Sequence, residues 1–288
     1  MKPFEYFSPT SLSEAFSLLS EYGSAARALA GGTDLLIRMK RKQWMPRAVV
    51  SLRCVPGLRD ISLNGELRLG AAVTLNDLIR SPIIREHYPV LAQTASKMAG
   101  VQVRNLATVG GNLCNASPAA DTAPPLIALN ARAVIVGKNG ERVVPLDEFF
   151  IGVGKSALAP DEVLREILVP RDAALTASYV KIEHREAMDI AIVGVGVALK
   201  IANSKSRVSN CEDVRIVLGA VAPTPLRAKR AEEVLRGKAL TEEHIREAAR
   251  VAVTEAQPID DVRGSAWYRR EMVELLTRRQ LGAMAERH

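Results

Sequence analysis

The sequence predicts an α+β protein of three consecutive segments. The first follows a strand–helix–strand–helix–strand pattern. The second mixes strands and helices around one hairpin signal. The third runs three strand-like stretches before three helices, the order expected of an α+β domain with a meander sheet.

In the first segment, residues 1–55, Phe4 to Phe7 suit a strand. Ser11-Leu12-Ser13-Glu14 reads as a capping box, and Leu12, Ala15, Phe16 and Leu19 fall on one helical face. Gly23 ends that helix, and Ala26 to Ala30 suit a short strand before the turn at Gly31-Gly32. Thr33 or Asp34 caps the next helix, whose last turn gathers Lys40, Arg41 and Lys42, the favourable end for cations. Ala48 to Leu52 form another strand, and Val55-Pro56-Gly57 marks a boundary. From Leu58 to Arg171, strands are expected at Leu67–Ala71, Val101–Val109 and Ala133–Val136, and helices at Leu75–Ile79 and Val90–Met98. Lys138-Asn139-Gly140-Glu141 is a hairpin turn leading into Arg142–Leu146. The third segment begins near Leu175, with strands at Ala177–Glu183, Ile190–Ile201 and Asp213–Val221. Its helices include Arg227–Leu235 and a last one from Tyr268 to Arg287.

With 288 residues, 48% hydrophobic and 25% charged, the chain has the composition of a soluble globular protein. No apolar run is long enough to span a bilayer, and Met1 to Thr10 lack the apolar core of a signal peptide, so a cytoplasmic location is expected. Cys54, Cys114 and Cys211 are scattered, which argues against a disulfide framework and against an iron–sulfur cluster on this chain. His87, His184, His244 and His288 show no metal-ligand spacing. The net charge is +7, but only 4% of residues are aromatic, so nucleic acid is not the expected partner.

Two glycine motifs carry no phosphate site. Gly154-Lys155-Ser156 ends like a P-loop, but Phe149 stands where that motif needs its first glycine. Gly194-Val195-Gly196 lacks the third dinucleotide-fingerprint glycine, Leu199 taking its place, and Val195, Val197 and Leu199 continue a strand alternation. Two other pairs differ in context. Ala30-Gly31-Gly32-Thr33-Asp34 lies between a strand and a helix, and Thr108-Val109-Gly110-Gly111-Asn112 is expected to follow a strand. Glycine pairs give access to positive φ and to rows of free N–H groups, the makings of an anion-binding nest. Facing each other, two such loops suit a pyrophosphate, with Thr33, Thr108 and Asn112 adding side-chain donors.

Thr108 to Asp121, including Asn115-Ala116-Ser117-Pro118-Ala119-Ala120-Asp121, closely resembles the FAD-binding signature of the xanthine dehydrogenase and carbon monoxide dehydrogenase family of molybdenum hydroxylases. The first loop, Glu162-Val163-Leu164, Ile167-Leu168-Val169-Pro170 and the stretch from Tyr179 to Ala191 extend the resemblance over nearly the whole chain. It implies a two-part FAD-binding domain of the vanillyl-alcohol-oxidase (PCMH) type at 1–174, with parts at 1–55 and 56–174. A C-terminal domain at 175–288, with a small antiparallel sheet and helices, follows.

The resemblance also implies roles. Leu29, Ala30, Gly31, Gly32, Thr33, Asp34 and Leu35 would wrap the pyrophosphate with Thr108, Val109, Gly110, Gly111 and Asn112, and Asn115 belongs to the same signature. Asp121 would accept hydrogen bonds from ribityl or ribose hydroxyls. Met98 stands where some relatives stack an aromatic on adenine. Leu164 would offer backbone contacts to the isoalloxazine edge, Lys181 a positive charge near the flavin, and Ile190 a contact with one flavin face. FAD would be held non-covalently. A small subunit with two [2Fe–2S] clusters would deliver electrons from a large molybdenum subunit, the whole forming a dimer of heterotrimers, and the flavin would pass them to an external acceptor. The hydroxybenzoyl-CoA reductase type carries a four-cysteine insertion that three scattered cysteines exclude. Thr33-Asp34 replaces the His-Ser of carbon monoxide dehydrogenases, which argues against that substrate. The rival readings are a stand-alone FAD-dependent oxidase and a non-catalytic nucleotide-binding protein.

Overall fold

The computed structural model describes residues 1–185, 188–202 and 210–286. The first unit comprises β1 (Glu5–Phe7), α1 (Leu12–Tyr22), β2 (Ala26–Leu29), α2 (Leu35–Lys40) and β3 (Ala48–Ser51), its strands forming a parallel sheet in the order β1-β3-β2. The expected capping box is displaced by one residue. The Ser11 hydroxyl accepts from the Glu14 N–H at 3.2 Å, whereas the Glu14 carboxylate accepts from the Thr10 N–H at 2.9 Å. Neither Thr33 nor Asp34 caps α2 with its side chain. Asp34 holds the N-cap position, but its carboxylate accepts from the Asn115 amide instead.

The second unit begins with β4 (Ile61–Asn64) and β5 (Glu66–Gly70) and continues through six short helices: α3 (Leu75–Arg80), α4 (Pro82–His87), α5 (Pro89–Ser96), α6 (Val101–Arg104), α7 (Val109–Cys114) and α8 (Ala123–Ala128). It returns through β6 (Arg132–Gly137), β7 (Gly140–Pro145), a small β8–β9 hairpin (Phe150–Gly152, Lys155–Ser156) and β10 (Val163–Pro170). The five long strands make an antiparallel sheet in the order β4-β5-β10-β6-β7. The predicted turn is where expected, with Gly137 paired to Gly140 across Lys138-Asn139. Gly154-Lys155-Ser156 is the turn and second strand of the β8–β9 hairpin.

The strand expected at Val101–Val109 is absent: α6 and the start of α7 occupy that stretch. The alternation of Val101 and Val103 with polar residues imitates a half-buried strand, but these valines are 54% and 39% exposed. Only an isolated Thr74–Thr108 bridge retains sheet pairing there. Instead Arg104 turns back and donates to the Met98 and Ala99 carbonyls at 2.9 and 2.6 Å, which satisfies a tight local turn.

The third unit is a meander of β11 (Leu175–Ile182), β12 (Val193–Ala202), β13 (Asn210–Gly219) and β14 (Leu226–Arg227), followed by α9 (Lys229–Leu235), α10 (Glu242–Glu255) and α11 (Ala266–Ala285). The expected end of the last helix at Arg287 lies outside the described residues. Along β12 the two faces differ in size. Val193, Val195, Val197 and Leu199 pack with the three helices, whereas Gly194, Gly196 and Ala198 face the other way. A Cβ on Gly196 would lie 2.9 Å from the Pro124 carbonyl carbon of α8, and one on Gly194 would lie 2.5 Å from the Tyr179 hydroxyl. Close approach of α8 and Tyr179 therefore explains the Gly194-Val195-Gly196 pattern. Ala198 and Val217 join the core cluster of the second unit, so one face of the meander completes that core.

Gly196→Ala forces a methyl against the α8 backbone and is expected to destabilise the fold by about 1–3 kcal/mol, read as a lower urea midpoint at unchanged m-value. A shift under about 0.5 kcal/mol would show that α8 yields freely.

Candidate functional site

A cavity of about 370 Å³ opens between the first two units, and both glycine loops line it. Their closeness has a steric cause. A Cβ on Gly31 would lie 2.1 Å from the Leu106 carbonyl oxygen, so the first loop rests directly on the backbone leading into α7. Gly110 is in the same situation below, where a Cβ would meet Ala71 Cβ at 2.5 Å. Glycine is required at these positions for contact rather than for φ. Of the four loop glycines only Gly32 has a positive φ, 80°.

The two loops differ in what they offer. In the second, the N–H groups are spent on building the turn. Val109 donates to the Val73 carbonyl, Gly110 to Ala71, Asn112 to the Thr108 carbonyl, and Gly111 to Thr108 Oγ1, at 2.9–3.0 Å. This loop is the capped start of α7, not the end of a strand, and the nest expected there is absent. In the first loop, the N–H groups of Gly31, Gly32, Thr33 and Asp34 have no acceptor among the described residues. What the second loop contributes is side chains. Thr108 Oγ1 accepts from Gly111, which leaves its O–H free to donate. Asn112 Oδ1 accepts from Thr122 Oγ1 at 2.6 Å, which turns the amide so that its NH₂ remains a donor. Asn115 ties the loops together, donating to Asp34 at 3.2 Å and accepting from Arg38 at 2.9 Å.

The floor includes Leu164 on β10. From Glu166 to Leu168 β10 pairs with both β5 and β6, but Leu164 pairs only with Ile135 of β6, because β5 has ended at Gly70. The edge of β10 at Leu164 is thereby left without a strand neighbour beside the cavity. Glu162 also lines the cavity, a residue the sequence reading passed over except as part of a strand. Arg142 forks onto its carboxylate at 3.1 and 2.7 Å, and Ala159 N–H donates to it at 2.8 Å. The Arg142 hydrogen bond holds the Glu162 carboxyl below its usual pKa. Arg27, Trp44 and Cys114 were likewise missed as wall residues. Burial pushes the Cys114 thiol up to about 12, which makes it unreactive.

Among the residues expected to bind a cofactor, Val109, Asp121, Lys181 and Ile190 do not line the cavity; the others do. Val109, the first residue of α7, is fully buried, and Ile190 is 42% exposed. Asp121 and Lys181 form a buried cluster with Tyr179 and Glu183. The Tyr179 hydroxyl donates to Asp121 at 2.7 Å, and Lys181 Nζ lies 3.1 Å from Asp121 and 2.9 Å from Glu183. Burial raises the Asp121 pKa against the opposing pull of Lys181 and Tyr179. Burial works to lower that of Lys181, but Asp121 and Glu183 outweigh it and raise it. Two carboxylates against one ammonium leave no net positive charge, so the cation expected of Lys181 is neutralised on site. The cluster reaches the cavity wall through Thr122, the neighbour of Asp121, and its bond to Asn112.

Residues 2–172 match the family described as the FAD binding domain in molybdopterin dehydrogenase, and residues 178–284 match the CO dehydrogenase flavoprotein C-terminal domain. The carbon monoxide dehydrogenase medium chain of Hydrogenophaga pseudoflava is 39% identical, over 97% of this chain and 96% of its own. A putative xanthine dehydrogenase FAD-binding subunit of Escherichia coli is 33% identical, over 95% and 93%. A solved structure of the Hydrogenophaga carbon monoxide dehydrogenase superposes with a TM-score of 0.91 at 38% identity, covering 97% of this chain and 96% of that one. Quinoline 2-oxidoreductase from Pseudomonas putida 86 gives 0.90 at 30% identity, covering 99% of both. No described helix is long and apolar enough to cross a membrane.

The lowered pKa of Glu162 has a signed consequence. Its pair with Arg142 adds stability above the unfolded carboxyl value, near about 4.3, and loses it as pH falls through the lower folded value. The gap in melting temperature between wild type and Glu162→Gln should therefore narrow on going from about pH 6 to below about pH 4. A gap that stays constant with pH would show that the charge of Glu162 contributes nothing.

Proposed function

Because the chain belongs to the FAD-binding subunits of the molybdenum hydroxylases, we propose that it holds FAD non-covalently between its two glycine loops and transfers electrons within a larger complex. The observation that carries this reading is the row of uncommitted N–H groups from Gly31 to Asp34 facing the Thr108 hydroxyl and Asn112 amide across one cavity. Donors on two walls suit a diphosphate better than a single phosphate.

In this reading the first loop, Leu29 to Leu35, supplies backbone donors, and Thr33, Thr108 and Asn112 supply side-chain donors. Gly110 and Gly111 keep the second wall low enough for close approach. Val109, the first residue of α7, anchors the helix through its N–H bond to the Val73 carbonyl. Met98 and Leu164 supply apolar contact, with the open β10 edge at Leu164 beside the ring system. Asn115 holds Asp34 in place across the gap. Asp121 and Lys181 act at one remove, fixing the wall behind Thr122 and Asn112, and Ile190 is not among the lining residues. Bound flavin supplies the two-electron chemistry and the exchange with single-electron carriers. We place the domain boundary between residues 174 and 175, in keeping with the two matched stretches.

The partners we assign are a small subunit with two [2Fe–2S] clusters and a large molybdenum subunit, assembled as a dimer of heterotrimers, with an external acceptor receiving the electrons. Relatives of similar identity are named for carbon monoxide, xanthine, nicotinate and glyceraldehyde. Substrate choice therefore does not follow the sequence of this subunit, which fits a substrate pocket on another chain.

Gly111→Val would drive its side chain into Thr108 Oγ1, which lies only 2.8 Å from a Cβ at this site. We expect a soluble chain that retains less than about a tenth of wild-type FAD, a loss of more than about 1.4 kcal/mol in binding. Unchanged flavin content would show that this wall does not contact the cofactor.

Acid precipitation of the purified chain should release all its flavin as FAD. The chain should be bleached by dithionite yet should not reduce a dye in the presence of aldehydes, purines or other N-heterocycles until the partner subunits are added. Substrate-dependent dye reduction by the chain alone would replace the subunit reading with a stand-alone oxidase, and FMN in the supernatant would remove the diphosphate argument.

A further inference from the structure

One stretch of this protein is basic without any acidic residue, and its charge equals the net charge of the chain. From Leu35 to Arg59 there is no Asp or Glu, while Arg38, Lys40, Arg41, Lys42, Arg47, Arg53 and Arg59 supply seven cations. Removing those seven from the 39 basic residues leaves 32 against 32 acidic ones, so this stretch carries the whole excess of +7. Arg59 pairs with Asp77 at 3.3 Å. The other six have no carboxylate partner among the described residues, although ion pairs are frequent among the described residues outside this stretch. Unpaired like charges this close repel one another, a cost that an oppositely charged partner would offset.

We propose that the exposed face of α2 and of the turn after it, from Leu36 to Arg47, is the docking surface for the iron–sulfur subunit of the complex, which meets it with an acidic face. The proposal rests on the function assigned above and names the place where that partner sits. Four observations support it. Leu36, Ile37 and Met45 are 37%, 51% and 54% exposed among the cations, giving the mixture of apolar and basic groups found in protein interfaces. Lys42 holds φ at 58°, a conformation that glycine adopts without strain. With Gln43 and Trp44 N–H both donating to the Arg38 carbonyl, the turn is closed and Lys42 projects at its tip. Trp44 is not open to stack on a nucleic-acid base, since the Arg27 and Arg38 guanidinium groups lie 5.3 and 4.4 Å from its ring centroid. Finally, the patch is continuous with the cavity: Leu35 and Trp44 line it, and Arg38 reaches Asn115 in its wall. Of the two partner types, the electron carrier is the one that must dock beside the flavin.

The test uses the purified three-subunit complex and the full-length chain. A zero-length carbodiimide reagent, which joins amines to carboxylates, should link Lys40 or Lys42 to the iron–sulfur subunit, and about 500 mM salt should suppress the link. The variant Lys40→Glu/Arg41→Glu/Lys42→Glu should bind the purified iron–sulfur subunit more than about tenfold more weakly at roughly 50 mM salt, with the difference shrinking at high salt and FAD content unchanged. A control, Arg246→Glu/Arg250→Glu on α10, should bind as wild type. The proposal is overturned if Lys40 and Lys42 are acetylated equally fast in the complex and in the free chain, or if they link to the molybdenum subunit. It is also overturned if the triple variant loses only its adhesion to phosphatidylserine vesicles. Intact partners linked elsewhere would refute this surface alone, whereas a flavin-loaded chain that purifies without partners and oxidises substrate would refute the function as well.

Discussion

The site depends on one backbone contact. Gly31 lies so close to the Leu106 carbonyl that any side chain would overlap it. Through this contact the parallel unit at the N-terminus is seated on the helical stretch of the second unit, and the cavity is the space left beside the seat. The contacts that follow are built around it. Leu75 N–H donates to the Ala107 carbonyl, and Gly110 settles on the end of β5. Asn115 spans the gap to Asp34. Replacing Gly31 would separate the walls of the cavity while leaving each sheet intact, because neither sheet draws a strand from the other unit.

Much of this was legible in the sequence, and what was not has identifiable causes. The strand–helix alternation at the start, the hairpin at Lys138-Asn139 and the strand alternation of Val195, Val197 and Leu199 in β12 follow directly from local periodicity and turn chemistry. The stretch from Val101 to Val109 was misread because its alternation is that of exposed valines, and exposure has no signature in a single chain. The glycine pairs were found for a reason only partly correct. Both loops line the cavity, but positive φ occurs only at Gly32, and the second loop uses its N–H groups internally. Which donors remain free is decided by partners distant in sequence, such as Val73 and Ala71, and periodicity cannot supply them. The same holds for Asp121 and Lys181, whose charges meet only when β11 folds beside α8.

Charge is distributed in two ways in this molecule. Two carboxylates at or behind the cofactor cavity are paired locally, Glu162 with Arg142 and Asp121 with Lys181, whereas Asp34 on the wall is held by the Asn115 amide. The surface beside it is the reverse, with cations left unmatched along α2 and the turn that follows. The two surfaces have separate tasks: the inside fixes a cofactor by shape and donors, and the outside selects a neighbour by sign.

The seating of α8 against the glycines of β12 also sets an order in time. All six residues of α8 are buried, and part of what covers them, Ala198 and Val217, comes from strands that leave the ribosome well after the FAD-binding unit. While the chain is being made, the second unit has every strand of its own sheet but lacks the lid over its helical layer. The wall behind Asn112 hangs from Thr122, one residue before α8, and gains its rigid backing only when the meander closes. Until the meander closes, α8 presents apolar surface of the kind that chaperones and proteases recognise.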